Sequence, residues 1–160
     1  MIRLNNGDAF PALTLDTVED GAVSVTQHLA RSWGVVLLYR GSWCPYCNAQ
    51  LAAFARAKEA FDGLGLKVIA LSVDSRADAA ALAERHCLNF PVGYDADADK
   101  IAALTGAYVN DSPRYLQSTG FVLDPAGKVI TAVYSSGAIG RLVAEDVIGF
   151  VRYVKSKAAA

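Results

Sequence analysis

The chain has 160 residues, 53% of them hydrophobic and 19% charged, with a formal net charge of −1. That length suits one domain over residues 1–160, with a core large enough to need no crosslinks, and the composition argues against disorder. The near-neutral balance and the absence of long Lys or Arg runs exclude the electrostatic footprint of a nucleic-acid-binding surface.

The opening, MIRLNNGDAFPALTL, lacks the basic stretch, apolar core and small-residue cleavage site of a signal peptide. The longest apolar run, VVLLY at 35–39, is too short to span a membrane, so a cytoplasmic, membrane-free protein is expected. GDAFPALTLDT followed by GAVSV predicts an N-terminal hairpin or extended arm. GVVLLYR is a β-branched apolar run of the kind covered on both faces of a sheet. After GSWCPY, the segment CNAQLAAFARAKEAFDGLG predicts one helix, with Leu51, Phe54, Ala55, Lys58 and Phe61 at helical spacing and flanking glycines as its stop.

LKVIALSV predicts a second buried strand, and DSRADAAALAERHC a helix opened by capping residues. NFPVGYD reads as a short extended piece, ADADKIAALTG as a short helix ending at Gly106. TGFVLDPAGKVITAVY predicts a hairpin turned at Asp124-Pro125-Ala126-Gly127. GRLVAEDVIGFVRYVKSK predicts a last amphipathic helix through Leu142, Val147, Phe150, Val151 and Val154. The order implies an α/β fold with a central mixed β-sheet flanked by helices and an N-terminal β extension.

Two of the three cysteines, Cys44 and Cys47, sit where the first core strand gives way to a helix. Open α/β sheets place their chemistry at that edge. A helix N-terminus presents unpaired N–H groups and favours negative charge, which lowers a thiol pKa from its ordinary value of about 8.5. Pro45 fits the first helical position, where it loses no hydrogen bond. Trp43 and Tyr46 can shield the pair or offer a flat surface to a partner, and Arg40 can add positive charge.

A zinc site would need two more ligands from His28, His86 and Cys87, and adjacent residues on a helix point roughly 100° apart. No metal and no cofactor are expected. His28 and His86 are read as surface or satisfied histidines, because no partner carboxylate is identifiable. Cys87 is read as a buried structural cysteine, with a resolving cysteine as the alternative. The helix-terminus argument favours Cys44 as the exposed, attacking sulfur.

The pieces GDAFPALTL, VVLLYRGSWCPYC, LGLKVIALSVDS, HCLNFPVGYDAD and GFVLDPAGKVI, in this order, resemble the alkyl hydroperoxide reductase/thiol-specific antioxidant (peroxiredoxin-like) family of the thioredoxin-fold superfamily. The resemblance implies a thioredoxin-like fold and thiol-based reduction. It implies electrons from thioredoxin, glutaredoxin or a low-molecular-weight thiol, with a peroxide or protein disulfide as substrate. Members often dimerise, so a homodimer is allowed, although no surface stripe marks one.

In the family's Pro-x-x-x-Thr-x-x-Cys register, Cys47 takes the peroxidatic position, Cys44 the threonine position and Arg40 the proline position. Ser118 stands where the family keeps an arginine before its late F-x-x-D strand, and Arg114 is the nearest arginine in sequence. Peroxide reduction through a Cys44/Cys47 dithiol-disulfide cycle is the favoured expectation. A thioredoxin- or glutaredoxin-type disulfide oxidoreductase using Cys44, and a non-enzymatic redox sensor or interaction module, are the alternatives. Which sulfur attacks stays open at this level.

Overall fold

The structure is a computed structural model and describes residues 2–159. The strands are β1 (Thr14–Thr17), β2 (Gly21–Ser24), β3 (Trp33–Leu38), β4 (Leu66–Leu71), β5 (Val92–Tyr94), β6 (Val109–Asn110), β7 (Tyr115–Leu116), β8 (Thr119–Leu123) and β9 (Val129–Tyr134). The helices are α1 (Val25–His28), α2 (Pro45–Arg56), α3 (Lys58–Leu64), α4 (Arg76–Arg85), α5 (Ala98–Thr105) and α6 (Ala144–Ala159). Seven strands form one mixed sheet in the order β2-β1-β5-β4-β3-β8-β9. β3 runs parallel to β4 and antiparallel to β8, and β1 and β2 extend the sheet as the expected N-terminal hairpin.

β3 is therefore central, and Gly34 to Leu38 are all buried, as its unbroken apolar run requires. Alternation along the strand separates two cores. Val35, Leu37 and Tyr39 share one with Leu51 and Phe54 of α2, Phe61 of α3, Leu82 of α4 and Val151 of α6. Val36 and Leu38 share the other with Val25 of α1 and Ile101 of α5. Each fully buried side chain of this size contributes roughly 1.5–3 kcal/mol through apolar burial.

Three differences from the sequence reading bear on the site. The first long helix is two, because the backbone turns at Ala57 (φ −85°, ψ 6°), where no sequence breaker stands. The last helix begins at Ala144, leaving Arg141 and Leu142 in the preceding loop. Cys87 is exposed rather than buried. Its left-handed backbone (φ 51°) ends α4 in a Schellman turn, in which the Leu88 N–H donates to the Ala83 carbonyl at 2.9 Å. Leu88, not Cys87, packs against the core. Glycine is the usual residue at that turn position, so the sequence does not announce it.

Candidate active site

The chain leaves β3 and turns through residues 39–44 into α2, with Cys44 as the N-cap and Pro45 at the start of the helix. Cys44 has extended backbone (φ −89°, ψ 113°), and its Sγ accepts the Cys47 N–H at 3.2 Å. A sulfur thus takes the place that a serine or aspartate oxygen usually fills. Cys47, one turn on, accepts the Arg40 backbone N–H at 3.4 Å. Both cysteines and Cys87 are free thiols.

Each sulfur of the pair meets a different guanidinium. Arg40 Nη1 lies 3.8 Å from Cys44 Sγ, while its Nε donates to Gln117 Oε1 at 3.0 Å and its Nη2 to the Tyr115 hydroxyl at 2.9 Å. The Arg40 guanidinium also stacks within 4.9 Å of the Trp43 ring and 5.2 Å of the Tyr115 ring. Trp43 packs edge-on against Tyr115 at 4.8 Å. This close fold-back requires Gly41, where a Cβ would fall 2.2 Å from Trp43 Nε1. Arg141 Nη2 lies 3.6 Å from Cys47 Sγ, and its guanidinium sits 5.8 Å from the Tyr46 ring.

Both cysteines are wholly buried, so exposure does not separate them as the sequence reading expected. Electrostatics does. Burial pushes the Cys44 thiol up, but hydrogen bonds from the Cys47 thiol and N–H and from Arg40, with the charge of Arg141, outweigh it and lower the pKa. Burial and the neighbouring Cys44 push Cys47 up to about 11, against the smaller opposing pull of the Arg40 N–H and Arg141. The two shifts, opposite in direction, favour the thiolate on Cys44 over Cys47.

A second layer holds the 41–44 turn. Asp74, in the loop between β4 and α4, accepts the Ser42 N–H on Oδ2 at 2.8 Å; burial raises its carboxyl, and the Ser42 N–H opposes that rise. Asn48 donates from Nδ2 to the Ser42 and Cys44 carbonyls, both at 2.9 Å. Its Oδ1 is engaged by His86 Nε2 at 3.1 Å. With both amide hydrogens spent, that Oδ1 must accept, so His86 carries its proton on Nε2 toward Asn48. Among the described residues, no group of three or more His, Cys, Asp or Glu could hold a metal ion.

The sequence matches the AhpC/TSA family over residues 6–132. The chain belongs to that family. A peroxiredoxin of Treponema denticola is 30% identical over 158 residues, covering 94% of this chain and 72% of its own length. A peroxiredoxin of Aeropyrum pernix is 27% identical over 157 residues; the match covers 93% of this chain and 62% of the longer archaeal protein. The fold superposes on Mycobacterium tuberculosis AhpC with a TM-score of 0.81 at 19% identity, covering 98% of this chain and 96% of that one. By family the protein is a peroxiredoxin-like thiol peroxidase with a thioredoxin-like fold.

Within this AhpC/TSA frame, the structure brings Arg40, Trp43, Cys44, Pro45, Tyr46 and Cys47 together. Arg114 lies elsewhere: it is exposed and pairs with Asp99 of α5 and Asp111. The segment that follows it, β7 and the residue after it, delivers Tyr115 and Gln117 to Arg40 instead. Sequence reasoning missed Arg141, Gln117, Asp74 and Asn48. Asp74 lies in the SVDS segment that carried part of the resemblance. No local pattern marked Arg141.

Beside the pair, Tyr46, Ala49, Ala53, Ile139 and Val143 line an apolar groove of about 460 Å³ that reaches Arg141. Trp43 and Tyr46 are 54% and 53% exposed, so large aromatic surface borders the buried sulfurs. No helix among the described residues is long and apolar enough to cross a membrane.

Proposed function

We propose that the protein reduces hydroperoxides through a Cys44/Cys47 cycle in which Cys44 attacks and Cys47 resolves. The Cys44 thiolate displaces ROH from ROOH, one proton being taken up, and becomes a sulfenic acid. The Cys47 sulfur then attacks Cys44, forming the disulfide and releasing water. A thioredoxin-type protein, a glutaredoxin or a small thiol returns two electrons and two protons. A cytoplasmic setting, where such reductants hold thiols reduced, suits this cycle. The groove beside Arg141 has room for the apolar body of an organic hydroperoxide.

The observation that carries this reading is the capping sulfur: Cys44 Sγ receives the Cys47 N–H at 3.2 Å and faces Arg40 at 3.8 Å. It favours Cys44 over Cys47, the sulfur in the family's peroxidatic register. Thioredoxin-coupled NADPH oxidation with hydrogen peroxide and with cumene hydroperoxide, run beside insulin reduction, tests it. Peroxide turnover lost in both Cys44→Ser and Cys47→Ser is expected. Insulin reduction with negligible peroxide turnover would instead support a protein disulfide oxidoreductase, which the exposed Trp43 and Tyr46 beside the pair favour as a docking surface.

A further inference from the structure

We propose that the two arginines divide the cycle between them: Arg40 serves the attack by Cys44, and Arg141 is a catalytic residue for the second step, in which Cys47 closes the disulfide. The inference deepens the order of attack given above. The geometry assigns one guanidinium to each sulfur, at 3.8 Å for Arg40 on Cys44 and 3.6 Å for Arg141 on Cys47.

The two arginines are also delivered independently. Arg40 ends the central strand β3 and is braced by Gln117 and Tyr115. Arg141 comes from the loop between β9 and α6, beyond the 6–132 span of the family match. That loop is built to place it. Gln50, one turn beyond Cys47 on α2 and itself buried, donates from Nε2 to the Leu142 carbonyl at 2.9 Å. The Leu142 side chain presses onto the bare Cα of Gly120, where a Cβ would fall 2.5 Å from its Cδ1. Both terminal nitrogens of Arg141 donate to the Ala138 carbonyl at 3.3 Å. The same helix that carries Cys47 therefore fixes the loop that carries its arginine.

The chemistry needs such a group. Before attack, the Cys44 thiolate opposes ionisation of Cys47, together with burial. Once Cys44 has become a sulfenic acid or a mixed disulfide, that opposing charge is gone while Arg141 remains. A fixed cation 3.6 Å away then favours the Cys47 thiolate that must form. The Arg141 charge also reaches Cys44, so a smaller effect on the first step is expected.

The test uses single-turnover reaction with neutral 4,4′-dithiodipyridine, which needs no peroxidase activity and carries no charge for an arginine to attract. The Cys44 thiolate attacks its S–S bond and releases one thiopyridone, leaving a mixed disulfide. Cys47 attacks that disulfide, forms Cys44–Cys47 and releases the second thiopyridone. Arg141→Met slows the second release at least about tenfold and raises its pH midpoint, the first release changing less than about threefold. Arg141→Lys restores part of the second rate, and Arg40→Met slows the first. A second release within twofold of wild type in Arg141→Met overturns the assignment, as does an equal slowing of both. Should this pattern hold while hydroperoxides are not consumed, the peroxidase reading fails and the division between the arginines stands.

Discussion

Cys44 Sγ accepts the backbone N–H of Cys47 at 3.2 Å, so the first cysteine of the pair caps the helix that carries the second. The cap and the Arg40 guanidinium both favour the anionic sulfur. The reactive form exists above the Cys44 pKa, so the rate of peroxide attack falls as pH falls through it. A midpoint below that of an ordinary thiol is expected in the pH profile of sulfenate formation. Arg40→Met raises that midpoint and slows attack on the order of tenfold, the scale of one lost charge-assisted hydrogen bond.

Gly120→Ala places a Cβ against Leu142 and is expected to destabilise the fold by about 1–3 kcal/mol, read from urea unfolding. Because Leu142 adjoins Arg141, the same variant slows disulfide closure more than sulfenate formation. Equal stability and equal closure would show that the loop does not depend on this contact.

Stability should fall at alkaline pH. Cys47 is held up to about 11 in the folded protein, and burial also raises Tyr39. As pH rises through about 8.5, the unfolded thiol loses its proton while the folded one keeps it. The unfolded state then binds fewer protons, and unfolding becomes easier until the folded pKa is passed. Cys44, whose folded pKa is lowered, contributes in the opposite sense. A net loss on the order of 1–2 kcal/mol between pH 8 and pH 10.5 is therefore expected, and Cys47→Ser removes part of that slope. Urea unfolding at the two pH values measures it.

The shape of the sheet was legible because its signals are local. The apolar run of β3, the Asp-Pro-Ala-Gly turn between β8 and β9, and the Ser75 cap each act over a few residues. The cysteine pair was legible for the same reason. Arg141, Gln117 and Asp74 were not, because each reaches the site through the fold: Arg141 is 94 residues from Cys47 in sequence and Gln117 is 77 from Arg40. Arg114 was singled out by proximity to β8 in sequence, but the β6–β7 hairpin leaves it outside, on Asp99 and Asp111. Cys87 was expected inside because an apolar residue normally follows a helix end; the left-handed turn gave that place to Leu88.

Cys87→Gly is expected to stabilise the protein by about 0.5–1 kcal/mol, since glycine adopts the left-handed turn without strain. It should leave peroxide turnover unchanged. Thermal or urea unfolding and the coupled assay together check this, and lost turnover would restore Cys87 as a resolving thiol.

The order of attack is tested most directly by trapping the sulfenic acid. Cys47→Ser and Cys44→Ser are each treated with stoichiometric hydrogen peroxide in the presence of dimedone, and the adduct is located by mass spectrometry. Rapid labelling of Cys44 in Cys47→Ser is expected, with labelling of Cys47 in Cys44→Ser at least about tenfold slower, as a thiol without the helix cap requires. Rapid labelling of Cys47 in Cys44→Ser, with Cys44 silent in Cys47→Ser, would contradict it.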